Sequence, residues 1–296
     1  MRIFALSDLH ADFAENRRWL QQLSADDFQH DCLIVAGDVS HRLDLMASTF
    51  QLLSDRFARI CFVAGNHDLW LRDNNCTDSR EKFDRLLHLC AELHICTDPI
   101  KIGSDDACPV WVVPLDAWYD RPEDSADSLY VAKNGEAPGL RWWADNRAIR
   151  WPATAEFNRP AAWMLARNAH ALNRRYDAPV VSFSHVLPRA EAMFPTPAEL
   201  AAWGPDVQDP TPRFNFSRVA GTSALDRQIR GLGAQLHIYG HQHRNRTLTV
   251  AGVTYLSHCL GYPRERAIDR LCGIEDGPRP VWDSLRGNLL NAAQCA

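Results

Sequence analysis

The 296-residue chain is 46% hydrophobic and 23% charged, the balance of a globular protein with a sizeable core, and it is long enough for one large domain or two small ones. Its 32 Lys and Arg against 37 Asp and Glu leave a net charge of −5, which excludes a global positive field for nucleic acid or anionic membrane and leaves room only for a local basic groove. No apolar run approaches the ~20 residues of a membrane helix, and the nine Cys are odd in number and never spaced C-x-x-C, which argues against a disulfide framework or thiolate zinc site and for a reducing cytoplasm.

In chain order, residues 3–6 read as a strand, 15–23 as a helix with Trp19, Leu20 and Leu23 on one face, 32–36 as a strand, 43–53 as a helix, 59–64 as a strand and 79–93 as a helix. This alternation predicts an α/β sheet with parallel neighbours. Cys32, Cys61 and Cys90 fall in apolar runs and read as small core residues. The N-terminal apolar run is too short for a signal peptide and ends in the carboxylate of Asp8. Strands are expected at 109–113 and 179–183, a long helix at 160–176, and a helix at 225–232 stopped by Gly233. Further strands are expected at 236–239, 247–250 and 254–257, the last two joined by an Ala251-Gly252 hairpin turn. Between 114 and 160 the pattern breaks into Pro, Asp, Gly and four Trp (Trp118, Trp142, Trp143, Trp151), and 195–215 is Pro-rich. Both read as long loops or cap insertions within one domain spanning 1–296. The Trp-rich segment is expected either to stack on substrate or to form a satellite core, and the acidic run Asp116, Asp120, Glu123, Asp124 and Asp127 to be a solvated loop.

Each early strand ends in polar residues, where ligand sites of such sheets lie. Asp8-Leu9-His10, Gly37-Asp38, Gly65-Asn66-His67-Asp68, Ser184-His185 and Gly240-His241-Gln242-His243 all place metal-competent side chains there. Residues two apart on an extended segment face the same way, so Asp8 with His10, and His241 with His243, can each aim a pair into one cavity. Carboxylate, imidazole and one amide suit divalent transition metals such as Mn, Fe, Zn or Ni rather than an all-oxygen calcium cage. Seven donors (Asp8, His10, Asp38, Asn66, His185, His241, His243) exceed one tetrahedral ion and suit two ions roughly 3.5–4 Å apart, bridged by a carboxylate.

The ordered set D-x-H, G-D, G-N-H-D, a lone His after a strand and G-H-x-H, spanning residues 8–243, resembles the calcineurin-like metallophosphoesterase superfamily. The resemblance implies a four-layer α/β/β/α sandwich of two mixed sheets, with the dimetal site at the C-terminal ends of strands. It implies that Asp8, His10 and His243 bind one ion, that Asn66, His185 and His241 bind the other, and that Asp38 bridges them. The activity implied is metal-dependent hydrolysis of a phosphate mono- or diester by a hydroxide shared between the ions. His67 would be the general acid toward the leaving oxygen, kept protonated by Asp68 accepting its other N–H. Two stretches, 182–189 and 260–265, are similar to a bacterial branch of the superfamily. Ala11 replaces the Gly found after D-x-H in many members, and Gly37-Asp38-Val39-Ser40-His41 lacks the Asp-Arg-Gly of protein Ser/Thr phosphatases.

Taken singly, His10, His241 and His243 are more often core or surface histidines, Asp8 and Asp38 equally often helix caps, and Asn66 a turn residue; their co-occurrence in order is what carries the joint reading. His41, Arg189 and Arg244 are candidate substrate contacts, each with a plain surface role as the commoner alternative, and His258 is a weaker one. The expected partner is a small-molecule phosphoester. Long nucleic acid is disfavoured by the charge, no membrane partner is expected, and nothing specifies an oligomeric state. The rival activities are a nuclease or cyclic-nucleotide phosphodiesterase, and a non-catalytic scaffold on the same fold. Retention of His67 with Asp68 favours an enzyme.

Overall fold

Alternate residues of the first three strands face two different cores. In the computed structural model, which describes residues 1–72, 76–103, 108–203, 212–266, 271 and 273–290, these strands are β1 (Arg2–Leu6), β2 (Cys32–Ala36) and β3 (Arg59–Val63). Ile3, Ala5, Cys32, Ile34, Ala36, Cys61 and Val63 face a second sheet. Phe4, Leu6, Leu33, Val35, Ile60 and Phe62 face the helices α1 (Ala14–Gln21), α2 (Leu43–Ser54) and α3 (Ser79–Glu92), meeting Leu20, Met46, Phe50, Phe83 and Leu86. Burial on both faces is why these strands read as unbroken apolar runs, each buried Leu, Ile or Phe contributing about 1.5–3 kcal/mol.

The second sheet contains β4 (Ile100–Ile102), β5 (Val110–Pro114), β6 (Val180–Phe183), β7 (Ala234–Tyr239), β8 (Arg246–Val250) and β9 (Val253–Ser257), in the order β4-β5-β6-β7-β9-β8. Strands β5, β6, β7 and β9 are parallel, with β4 and β8 antiparallel at the edges. The first sheet runs β11-β10-β1-β2-β3, with β10 (Arg279–Asp283) antiparallel to β1 and β11 (Gly287–Asn288) antiparallel to β10. The remaining helices are α4 (Asp145–Ala148), α5 (Pro160–Arg167), α6 (Ala169–Leu172), α7 (Pro197–Trp203), α8 (Ser223–Gly231) and α9 (Pro263–Arg266). The outer face of the second sheet packs Val113, Val180, Tyr239 and Tyr255 against Ala171, Leu225 and Ile229. Two mixed sheets face each other with helices outside, the expected four-layer sandwich. Among the described residues no helix is long and apolar enough to cross a membrane.

Several local expectations are corrected. The helix expected over 160–176 breaks at Asn168, whose buried side chain accepts the Asp116 N–H and donates to the Asp116 carbonyl and Gln228 Oε1; that tertiary demand overrides helix propensity. In the acidic run Asp124 is exposed as expected, but the other four carboxylates are not simply solvated. Asp116 pairs with Arg167, Asp120 with Arg159, Glu123 with Arg218 and Asp127 with Arg227, so these carboxylates stitch the insertion to the second half of the chain. Of the two expectations for the Trp-rich segment, the satellite core is what the packing shows. Trp118 and Trp151 join a buried aromatic core with Phe157 and Trp163, whereas Trp142 is 63% exposed beside the site. Strand β10 carried little sequence signal, because Arg279-Pro280-Val281-Trp282-Asp283 is short and part polar; pairing with β1 makes it a strand.

Candidate metal centre

The five motifs meet at the shared C-terminal edge of the parallel strands. Main-chain bonds zip the loops together: Asp8 N–H to Gly37 O, His10 N–H to Asp38 O and Ala11 N–H to Val39 O, each 2.8–2.9 Å. Asp8, His10, Asp38, His241 and His243 all adopt left-handed backbone (φ of 51°, 41°, 57°, 74° and 52°). For non-glycine residues that conformation costs about 1–3 kcal/mol each, and such strain gathers at functional sites. Gly37 is also left-handed (φ 82°), and a Cβ there would lie 2.5 Å from His185 Nδ1; at Gly65 a Cβ would run into the Asp38 carboxylate. The glycines are what allow the two loops to close on the site.

Two clusters of lone pairs result. In the first, Asp8, His10, Asp38 and His243 bring ligand atoms within 4.8 Å of one another. His10 Nε2 lies 2.9 Å from His243 Nε2, which lies 3.2 Å from Asp8 Oδ1. His243 Nδ1 is held 2.7 Å from Glu265 Oε2, leaving Nε2 to face the cluster. In the second, Asn66 Oδ1, His185 Nε2 and His241 Nδ1 are mutually 3.0, 3.2 and 3.0 Å apart. His185 Nδ1 sits 3.0 Å from Ala36 O and His241 Nε2 sits 2.8 Å from Val219 O, so each ring's proton is placed on the far nitrogen. Asn66 Nδ2 donates to Asp145 Oδ1 at 2.9 Å, turning its oxygen inward. Three acceptors then converge with no proton between them, an arrangement a cation resolves. Asp38 lies between the clusters, Oδ1 3.5 Å from His185 Nε2 and Oδ2 3.9 Å from His10 Nε2.

The electrostatics fit metal ions. Burial pulls His10 and His241 down to about 3, so both are neutral imidazoles, the form that ligates metal. Burial also raises Asp38 well above the carboxylate range, with Asp68 and Asp8 adding to the shift. The His67 main-chain N–H donates to its Oδ1 at 2.8 Å. On His243 burial is outweighed by Asp8 and Glu265, which lift it to about 10, so in the metal-free site a proton takes the place of a cation. The donor set and its unmet charge suit divalent transition metals.

Beside the clusters, the His67 ring stacks on Trp70 (centroids 3.6 Å apart, 28° between planes), and its Nε2 is 3.3 Å from Tyr262 Oη and 3.9 Å from Asp38 Oδ2. The expected Asp68–His67 contact is not made. Asp68 accepts main-chain N–H bonds from Asp38, Val39, Ser40 and Gly65 (2.8–3.1 Å), all the capacity its two oxygens have, and so pins the second loop to the third. These four bonds hold the loop that presents Asp38. Arg189 turns away to Glu191 and Asp226, and Arg244 to the Met193 carbonyl and Glu199; neither lines the site as a substrate contact. His258 is turned to the Gly277 carbonyl. His41 does line the cleft, paired at 2.8 Å with Asp12.

Residues the sequence did not single out complete the site: Trp70, Arg72, Asp145, Tyr262, Arg264 and Glu265. The 260–265 stretch supplies Tyr262, Arg264 and Glu265 together, the one signal that could have found them. Two clefts open from the centre. One, of 510 Å³, is lined by His10, Asp12, Phe13, His41 and Arg72; the other, of 670 Å³, by Trp142, Trp143, Arg213 and Phe214. They meet at His67, Trp70, Tyr262 and Arg264.

Fold and site define a metal-dependent phosphoric ester hydrolase. Residues 1–245 match the model of the calcineurin-like phosphoesterases, and the chain belongs to that family. It is similar to the acyl-carrier-protein phosphodiesterase PptH of Mycobacterium tuberculosis, 30% identical over 273 residues, which cover 89% of this chain and 78% of the relative. The crystal structure of phosphopantetheinyl hydrolase PptH from the same organism aligns with a TM-score of 0.69 at 25% identity, covering 95% of each chain.

Proposed function

We propose that the chain is a phosphodiesterase whose substrate is the phosphopantetheine diester of an acyl carrier protein. The observation that carries the diester reading is the pair of clefts meeting at one centre. A diester has two substituents on phosphorus and needs room for both, whereas a monoester needs one. The aromatic cleft suits an uncharged, partly apolar arm such as pantetheine. The open cleft suits the carrier protein's serine. The substrate class is supported by the activity named for PptH, and it extends the expected small-molecule phosphoester to a protein-borne one.

In this reading Asp8, His10 and His243 would hold one ion, Asn66, His185 and His241 the other, and Asp38 both, in one folded unit in which Trp142, Trp143, Arg213 and Phe214 wall the aromatic cleft; residues 204–211 of the expected 195–215 insertion lie outside the described residues. Bound Mn, Fe, Zn or Ni supplies Lewis acidity, lowering the pKa of water and neutralising phosphoryl charge. Arg264 and Arg72, at the cleft, balance the diester's remaining charge. Trp70 and Tyr262 hold the His67 ring toward the leaving oxygen. The free thiols Cys32, Cys61, Cys90 and Cys259 fit a reducing cytoplasm.

With added manganese, the protein is expected to release 4′-phosphopantetheine from holo-carrier protein and to cleave bis(4-nitrophenyl) phosphate faster than the monoester. Trp142→Ala, at an exposed position, is expected to raise KM for the carrier protein about tenfold, about 1.4 kcal/mol, and to leave the nitrophenyl diester within about twofold. Turnover of the monoester alone would defeat the diester reading.

Metal affinity should depend on pH through His243. Its metal-free pKa of about 10 means that a proton competes with the first ion at all lower pH. Affinity for that ion should therefore rise by up to about tenfold per pH unit through neutrality, with about one proton released per ion bound. Manganese calorimetry in buffers of different ionisation heat reads that proton; none released would remove His243 from the ligand set.

A further inference from the structure

We infer that Asp145 is a positioning residue that sets the orientation of the Asn66 amide and thereby the affinity of the second ion, an inference that rests on Asn66 being a ligand. Asp145 belongs to the Trp-rich insertion, far in sequence from every metal motif, yet it is 2% exposed and at the heart of the site. Its Oδ1 accepts from Asn66 Nδ2 at 2.9 Å and from Trp70 Nε1 at 2.6 Å, and its Oδ2 accepts from Tyr119 Oη at 3.0 Å.

A carboxamide is nearly symmetric in shape, so packing alone does not decide which end faces which way; hydrogen-bond partners do. A carboxylate offers only acceptors, so it demands the NH2 end. That leaves the Asn66 oxygen, rather than two N–H donors, 3.0 Å from both His185 Nε2 and His241 Nδ1. Turned over, the amide would present donors to a cation and repel it.

The same carboxylate reaches the reacting side of the site. Trp70, held by Asp145, is the ring on which His67 stacks. Tyr119, also held, accepts from Trp143 Nε1 at 3.3 Å, and Trp143 walls the aromatic cleft. One buried acid therefore ties the insertion to the ligand Asn66 and to the support of His67.

The test is metal retention by manganese-loaded full-length protein challenged with graded EDTA and read by elemental analysis, with no substrate present. Asp145→Ala is expected to release one ion at about 10–100-fold lower chelator than wild type and to keep the other within about twofold. Asp145→Asn, whose Oδ1 can still accept from Asn66 and Trp70, should recover most of that loss. In an Asn66→Asp background, where the ligand no longer has a wrong way round, Asp145→Ala should cost little more. Equal loosening of both ions, unchanged retention in Asp145→Ala, no recovery by Asp145→Asn, or the same cost in the Asn66→Asp background would each overturn the inference. Asp145→Ser, with the same outcomes, replaces the Ala variant should that one not fold. Asn66→Ala separates the two levels: if it loosens no ion, the ligand assignment fails; if it loosens one and Asp145→Ala does not, only the positioning role fails.

Discussion

Asp38→Asn is expected to make the metal-free protein more stable while abolishing metal-dependent turnover. Asp38 is buried, flanked by the carboxylates of Asp8 and Asp68, and its pKa is raised by burial and by those neighbours. A carboxyl whose folded pKa lies above its unfolded value of about 3.9 is more readily protonated in the folded state. The folded protein then holds more protons than the unfolded one, and stability falls as pH rises from about 4 toward the raised value. Above about pH 4 this carboxyl therefore costs the folded state stability, a cost that a bound cation offsets. Asparagine removes the charge without changing the shape, so the chelated variant should melt higher, by about 2–4 °C for each kcal/mol relieved. Asp38 is also the one donor placed between both clusters. Without its charge, the rise in melting temperature on adding manganese should largely vanish and kcat should drop at least about 10³-fold, about 4 kcal/mol. Thermal melts with and without EDTA, paired with turnover, check both halves. A variant that still gains full stability and activity from manganese would remove Asp38 from the bridging position.

The second large effect concerns His67→Ala. Metal content should be unchanged, since the ring lies beside the clusters rather than in them. The loss should depend on the leaving group: about 10²–10⁴-fold for a serine-linked diester, whose alkoxide needs a proton, and under about tenfold for a nitrophenyl ester, whose phenolate does not. Burial, and then the neighbouring imidazoles of His10 and His243, hold His67 well below its ordinary pKa. Its acid form is thus lost early as pH rises, and kcat/KM for the serine diester should decline with rising pH along a limb below the usual histidine range. That limb should be missing in the variant and for the nitrophenyl ester. Equal slowing of both esters at every pH would assign His67 to binding rather than proton delivery.

The order of strands and the places where donors cluster were legible because both are local. Short unbroken apolar runs mark strands buried on two faces, and glycine beside Asp, Asn or His marks a chain turning sharply at a strand end. The expected long helix and the solvated acidic loop failed because Asn168 and the paired carboxylates of 116–127 meet partners 39 to 100 residues away, and no local pattern encodes such partners. Arg189 looked well placed, four residues after His185, yet Leu187 pairs with Gly221 and the chain carries the guanidinium to Asp226.

The amino-acid sequence by itself determined the fold class and which side chains gather at the strand ends, because strand periodicity and donor spacing act over a few residues. Only the tertiary structure decided how those side chains are oriented. It gave Asp68 to four main-chain N–H groups instead of His67, set Glu265 behind His243 and Asp145 behind Asn66, and opened two clefts at one centre. A buried polar atom takes whichever partner the packed chain brings within about 3 Å, and that choice exists only once distant segments have met.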